Sequence, residues 1–186
     1  MPLAITDYFE TMQQRDFLRL HQYRVAAVSY KGLSLTEQDL VYLRTGEIPN
    51  RTINQVSVPF MGLNFQVPGT VQYSGTMQLQ FYCDQPQIIR SIAEAMSYTA
   101  FDDRYSGGQY TVAGSDILTF RTYNNTSPEQ QTTVYNLIGI FPQVVGAINM
   151  DTTNNGEAAT FDVTFAYQYW EKTLQTVPVN AAPAAT

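Results

Sequence analysis

Two stretches of the chain alternate apolar and polar residues with a period of two, and that period constrains the fold more tightly than any other feature. In "TVQYSGTMQLQFYCD", Val71, Tyr73, Met77, Leu79, Phe81 and Cys83 share one parity; Gln72, Ser74, Thr76, Gln78 and Gln80 share the other. Successive side chains of a strand point to opposite faces, so the stretch reads as a strand with one side buried. "TFDVTFAYQYWEKT" repeats the pattern. Phe161, Val163, Phe165, Tyr167 and Tyr169 take the apolar face, and Trp170 falls opposite with Asp162, Thr164, Ala166 and Gln168. A lone Trp on a polar face is a candidate subunit contact, since interfaces are enriched in Trp, or else sits near a sheet edge.

The remaining segments fill in a β-rich domain. "YRVAAVSYKG" reads as a strand closed by Gly32, and "INQVSVPFMGLNFQVPG" as strand bent or bulged at Pro59 and Gly62. Pro68-Gly69 is expected to turn the chain into the next strand. "DILTFRTYN", "QTTVYNLIGIF" and "ATFDVTFAYQYW" are three more strands, the last preceded by a turn at Asn154-Asn155-Gly156. One helix is clear: "DQPQIIRSIAEAMSY", capped by Asp84, with an apolar stripe of Ile88, Ile89, Ile92, Ala93 and Met96. Between Gly32 and Pro49 a long connection carries a short helix, with Thr36 and Asp39 spaced as a capping box and Gly46 at its end. Residues 5–20 show helical spacing at Ile5, Tyr8, Phe9 and Met12, with Thr6 as a cap. The expected class is mainly β (α+β): an antiparallel β-barrel or sandwich with one flanking α-helix and a long helix-containing loop. The expected division is an N-terminal arm over 1–22, a β domain over 23–173, and a small-residue tail over 174–186.

Little in the chain suggests chemistry. Its one histidine, His21, and one cysteine, Cys83, provide neither a disulfide nor a conventional zinc cluster. Cys83 lies on the apolar parity, where a thiol is inert packing. Asp102-Asp103 sits in a Gly-rich loop and reads as a solvated pair. "YSGGQYTVAG" lacks the Lys-Ser/Thr that a phosphate loop needs. No catalytic residue, metal or cofactor is expected. The formal net charge is −6 and the basic residues are scattered, which disfavours tight binding to nucleic-acid phosphates. No stretch reaches the roughly 18 apolar residues of a membrane span, and no leader is recognisable, so a soluble chain is expected.

The polar faces of the strands are themselves unusual. They carry Gln, Ser, Thr and Asn with almost no Lys or Glu, although charge is the common guard against edge-to-edge association. Such a face suits a surface that a polyanion passes without sticking.

The order of four segments then resembles a known family. "LTEQDLVYLRTGEIPNRTI", "VPFMGLNFQVPGTVQYSGTMQLQFYCD", "VYNLIGIFPQVVGAINMD" and "FDVTFAYQYW" are similar to the tail tube proteins of contractile-tailed bacteriophages, related in fold to type VI secretion tube proteins. The similarity runs over about residues 20–171. It implies a structural virion protein: hexameric rings stacked into the hollow inner tail tube, assembled in the host cytoplasm, through which DNA is ejected without tight binding. The implied partners are further copies of the chain, a sheath protein, a baseplate tube-initiator, a tail terminator and a tape-measure protein.

On that reading the lumen-facing candidates are Asn64, Gln66, Gln72, Ser74, Thr76, Gln78 and Gln80. Residues 33–50 resemble the family's loop that reaches the neighbouring ring, with Leu40, Tyr42, Leu43 and Ile48 as stacking candidates and Trp170 as a subunit contact. Two alternatives stand beside it. One is the inner-tube or tube-initiator protein of a related contractile injection particle. The other is a carbohydrate-binding β-sandwich module, which would need its rings exposed on one face.

Overall fold

The computed structural model describes residue 5 and residues 18–123, 131–151, 153 and 156–174. The expected N-terminal helix lies almost wholly outside them. So do Asn154, Asn155 and the tail from residue 175.

The described chain is an antiparallel β-sandwich with one helix and a protruding ribbon. Its strands are β1 (Tyr23–Tyr30), β2 (Leu33–Leu35), β3 (Leu43–Thr45), β4 (Arg51–Phe60), β5 (Leu63–Tyr73), β6 (Thr76–Tyr82), β7 (Ile117–Tyr123), β8 (Gln131–Ile138), β9 (Phe141–Val145), β10 (Thr160–Ala166) and β11 (Tyr169–Leu174). A five-stranded sheet runs β11-β8-β7-β1-β2, and a four-stranded sheet runs β3-β6-β10-β9. The hairpin β4–β5 forms a sheet of its own.

The core lies between the two larger sheets. Val25, Val28, Tyr30, Leu118 and Phe120 face it from one side; Met77, Leu79, Phe81, Phe161, Val163 and Phe165 face it from the other. These are the odd-parity residues of the two opening stretches, paired as neighbours on one face of the sheet, Phe161 opposite Phe81 and Val163 opposite Leu79. Each fully buried Phe or Leu contributes about 1.5–3 kcal/mol of transfer free energy. Helix α1 (Ile88–Ala100) packs on β9 and β2, the edge strands of the two sheets, through Ile89, Ala93 and Met96. Ile88, expected in the same stripe, is exposed in the first turn. The N-cap is Gln87, in the left-handed region at φ 55°, and not Asp84 as expected; the Asp84 carboxylate still reaches the helix start, accepting the Ile88 N–H at 3.0 Å.

Two of the chain's passages between the sheets are tight corners, and both shift the expected strand boundaries. At Gly139-Ile140 it leaves β8 in one sheet for β9 in the other; at Tyr167-Gln168 it leaves β10 and returns as β11. The two corners are hydrogen-bonded, Gln168 N–H donating to the Ile138 carbonyl at 3.1 Å. The second corner resets the parity of the C-terminal stretch. Tyr169, expected in the core, is exposed, whereas Trp170, expected on the polar face, is half-buried and packs against the core.

Asp116 gathers three loops. Its buried carboxylate accepts the backbone N–H of Lys31 at 2.9 Å and of Ala113 at 3.3 Å, and it lies 3.6 Å from the Lys31 ammonium. Its carbonyl accepts Gly139 and Ile140 N–H at the first corner. Burial, followed by the Asp116 charge, raises the Tyr30 phenol above its ordinary pKa.

A candidate assembly surface

The β4–β5 ribbon is built by a two-residue turn. Phe60 pairs with Leu63, so Met61 and Gly62 are the loop, with φ of 49° and 81°. Two positive φ values match the twist of the flanking strands, and glycine takes such a value without strain. The turn expected at Pro68-Gly69 is instead inside β5, at a bulge where the register slips between Ile53 and Gln55. A Cβ on Gly69 would lie 2.8 Å from the Asn54 carbonyl oxygen, so the bulge requires a residue without one.

Strand alternation and this register make the ribbon amphipathic. The pairs Val56–Val67, Val58–Phe65 and Phe60–Leu63 lie on one face. Ser57–Gln66 and Pro59–Asn64 lie on the other; because the bulge puts its extra residue in β5, nearer the root Ile53–Val71 falls on the Ser57 side and Thr52–Gln72 on the Val56 side. Every ribbon residue except Tyr73 is exposed, and the eight apolar ones are 42 to 64% accessible. Met61 at the tip is 88% accessible. No residue between Arg51 and Asp84 carries a charge. Isolated two-stranded hairpins are marginally stable in water, and contiguous exposed apolar faces mark association surfaces.

The root of the ribbon is tied to the second corner. Trp170 Nε1–H donates to the Asn50 carbonyl at 3.0 Å, and Ser74 N–H donates to the Asn50 side-chain oxygen at 3.1 Å. The Ser74 and Tyr167 hydroxyls are 2.7 Å apart, and Tyr167 N–H donates to the Gly75 carbonyl at 2.9 Å. Tyr73 and Tyr135 stand edge-on to the Trp170 indole, at 6.1 Å and 5.6 Å between ring centroids.

The lumen candidates divide between two places. Asn64 and Gln66 lie on the polar face of the ribbon, Gln72 lies beyond the bulge on the opposite side, and Ser74 stands exposed at the root. Thr76, Gln78 and Gln80 lie on the outer face of the four-stranded sheet, opposite Ala166, Thr164 and Asp162. There, β3 pairs with β6 only through Leu43–Phe81 and Thr45–Gln80. On that side β6 has no strand partner among the described residues from Thr76 to Leu79, and a 300 Å³ cleft opens between Thr45, Gly46, Glu47, Gln78, Gln80 and Asp162.

The stacking candidates fare unequally. Leu40 is 4% accessible and Leu43 packs against the core, so both are spent within their own subunit. Tyr42 and Ile48 are exposed. The expected short helix is a single 3₁₀ turn, Asp39–Tyr42, and its Thr36–Asp39 box closes: Thr36 N–H and Oγ1 both reach the Asp39 carboxylate, at 2.8 and 2.6 Å. Sequence reasoning missed the apolar face of the ribbon, because its alternation is indistinguishable from that of a core strand until the pairing is known.

The groups weighed for chemistry stay apart. His21 is exposed, and Cys83 is half-buried with its thiol toward the Asp84 carbonyl at 3.5 Å. Asp102 accepts the Arg104 N–H at 2.8 Å as a turn residue. Among the described residues no cluster of three His, Cys, Asp or Glu side chains is placed to hold a metal.

Comparison with curated proteins gives no match. Among the solved structures with this fold are two from contractile particles. A chain of the anti-feeding prophage baseplate, 6-fold symmetrised, is similar at a TM-score of 0.62 and 11% identity, covering 86% of this chain and 97% of that one. A chain of the PVC extracellular contractile injection system, from its sheath–tube complex in the extended state, reaches a TM-score of 0.61 at 12% identity, covering 89% and 97%. The family model described as "Phage tail tube protein" matches residues 18–173, which takes in both sheets, the helix and the ribbon. This chain therefore belongs to the phage tail tube protein family.

Proposed function

We propose that the chain is the repeating subunit of the inner tube of a contractile tail. Copies close into hexameric rings, rings stack into a hollow tube, and DNA crosses the lumen on its way out. The observation that carries this reading is the amphipathic ribbon. Its six-residue apolar face has no partner among the described residues and fits a second copy; its amide- and hydroxyl-bearing face fits a water-filled bore. The ribbon, more than residues 33–50, is then the principal contact between rings, with Tyr42 and Ile48 contributing.

Two further features support the reading. The unpaired length of β6 can accept a neighbour's strand, which would remove a sheet edge by closing the ring. The ribbon face that carries Gln66 provides no cation to hold a phosphate backbone, and Gln78 and Gln80 lie beside Asp162, whose charge repels one.

A tube in a related injection particle is the second reading, favoured by the two structural neighbours, whose printed descriptions name such particles. In both readings the partners are a sheath, a baseplate initiator and a terminator. The carbohydrate module is disfavoured because most rings of the C-terminal stretch are buried.

The test is negative-stain electron microscopy of the purified chain across concentrations, alone and with a Phe65→Asp variant. Rings or hollow filaments of uniform width, lost on substitution, are the expected result. Filaments that survive Phe65→Asp would remove the ribbon from the interface. A monomer at every concentration, with or without a preformed baseplate, would overturn the tube reading.

A further inference from the structure

The ribbon stands clear of the sandwich along its length, so what holds its direction must lie at its root. We infer that Trp170 and Tyr167 form a joint that fixes this direction, and that Trp170 acts as a positioning residue within its own subunit rather than as a contact to another.

The joint closes on both ends of the ribbon at once. Asn50 precedes β4 and Ser74 follows β5, and the Asn50 side chain receives the Ser74 N–H, binding the two chains together where they leave the body. Trp170 then holds the Asn50 carbonyl, and Tyr167 holds Ser74 and Gly75. Both aromatics flank the corner at which the chain crosses from one sheet to the other, so the ribbon is anchored to both layers. Tyr73, the last residue of β5 and its one partly buried side chain, is wedged edge-on against the indole, with Tyr135 of β8 edge-on as well. This arrangement resists tilt in more than one direction, since hydrogen bonds and ring contacts approach the root from different elements.

A lever argument gives the joint its consequence. A ten-residue strand is about 33 Å long, so a tilt of about 10° at the root moves the tip by about 6 Å, more than the roughly 4.8 Å between paired strands. Small play in the joint would therefore carry the tip out of register with any partner. That second half rests on the tube reading; the joint itself does not.

The test uses the full chain with spin labels at Met61→Cys on the tip and Gln85→Cys on the body, in a Cys83→Ser background, and reads the distance distribution by pulsed electron resonance. The parent should give one narrow distribution. Trp170→Phe combined with Tyr167→Phe keeps most of the ring packing but removes the indole N–H and the phenol; the distribution should broaden by about twofold or more. Asn50→Ala, at an exposed residue, should broaden it too, and replaces the double variant if that one unfolds. A broad parent distribution, or equal widths in parent and Asn50→Ala, would overturn the joint. If the widths change while tubes of normal helical order still form, the link between direction and register fails. If the parent forms no tubes, the tube reading fails and the distance data still decide the joint.

Discussion

At the scale of single residues, Asp116 is the one charged side chain buried among the described residues. Its carboxylate is nearly inaccessible and is met by two backbone N–H groups and the Lys31 ammonium. Asp116→Ala would leave the two backbone donors without their acceptor and the Lys31 ammonium without its counter-charge, held only by Thr111; removing one partner of a buried pair costs about 3–5 kcal/mol. The urea midpoint should fall accordingly while the slope of the transition is unchanged. The Arg24–Glu37 pair, with side chains 44 and 72% accessible, is the control: Glu37→Ala should cost less than about 1 kcal/mol. The same buried carboxylate has a consequence at alkaline pH. Burial first, and the Asp116 charge second, make the folded chain hold the Tyr30 proton above the pH at which the unfolded chain releases it. That contribution is fully present below about pH 10 and is lost as pH rises through the folded pKa. Tyr30→Phe should flatten this part of the alkaline fall in stability, read as urea midpoints across that range.

At the scale of elements, the ribbon is the part most exposed to change and least protected. Its backbone hydrogen bonds are covered by no other layer, so its amides should exchange with solvent far faster in the free subunit than those of β6 and β10, and become protected in tubes. Equal protection before and after assembly would mean that the ribbon is not an interface. Gly69→Val tests its register. The added side chain meets the Asn54 carbonyl at the bulge, so tube formation should be lost while the thermal midpoint of the sandwich stays within a few degrees. How much of this could be read from sequence follows from what sets each feature. Parity within a strand is local, which is why Met77, Leu79, Phe81, Phe161, Val163 and Phe165 were legible as core. The corner at Tyr167-Gln168 is set by the path of the chain between sheets, so Tyr169 and Trp170 were assigned to each other's environments. The Thr36–Asp39 box is likewise local and legible, whereas the burial of Leu40 depends on what the loop packs against. Nothing local distinguishes Val56, Val58 and Phe65 from core residues; only their lack of a covering layer does, and that is a property of the whole topology.

At the scale of the molecule, charge and apolar surface are separated along the chain, and the separation predicts how assembly responds to conditions. The formal charge of −6 lies outside the segment between Arg51 and Asp84, so copies repel one another through their bodies while the ribbon surface proposed to stack is neutral. Salt shortens the reach of that repulsion, from about 30 Å at 0.01 M to about 8 Å at 0.15 M, and takes nothing from an interface without ion pairs. Stacking driven by apolar burial also weakens on cooling, because the hydrophobic contribution fades at low temperature. Tube formation followed by light scattering should therefore start at a lower protein concentration as salt is raised, and at a higher one as temperature is lowered. Tubes that dissolve on adding salt would place ion pairs at the stacking surface. The contact would then have to lie on the charged body, with Tyr42 and Ile48 beside Arg44 and Glu47, rather than on the ribbon.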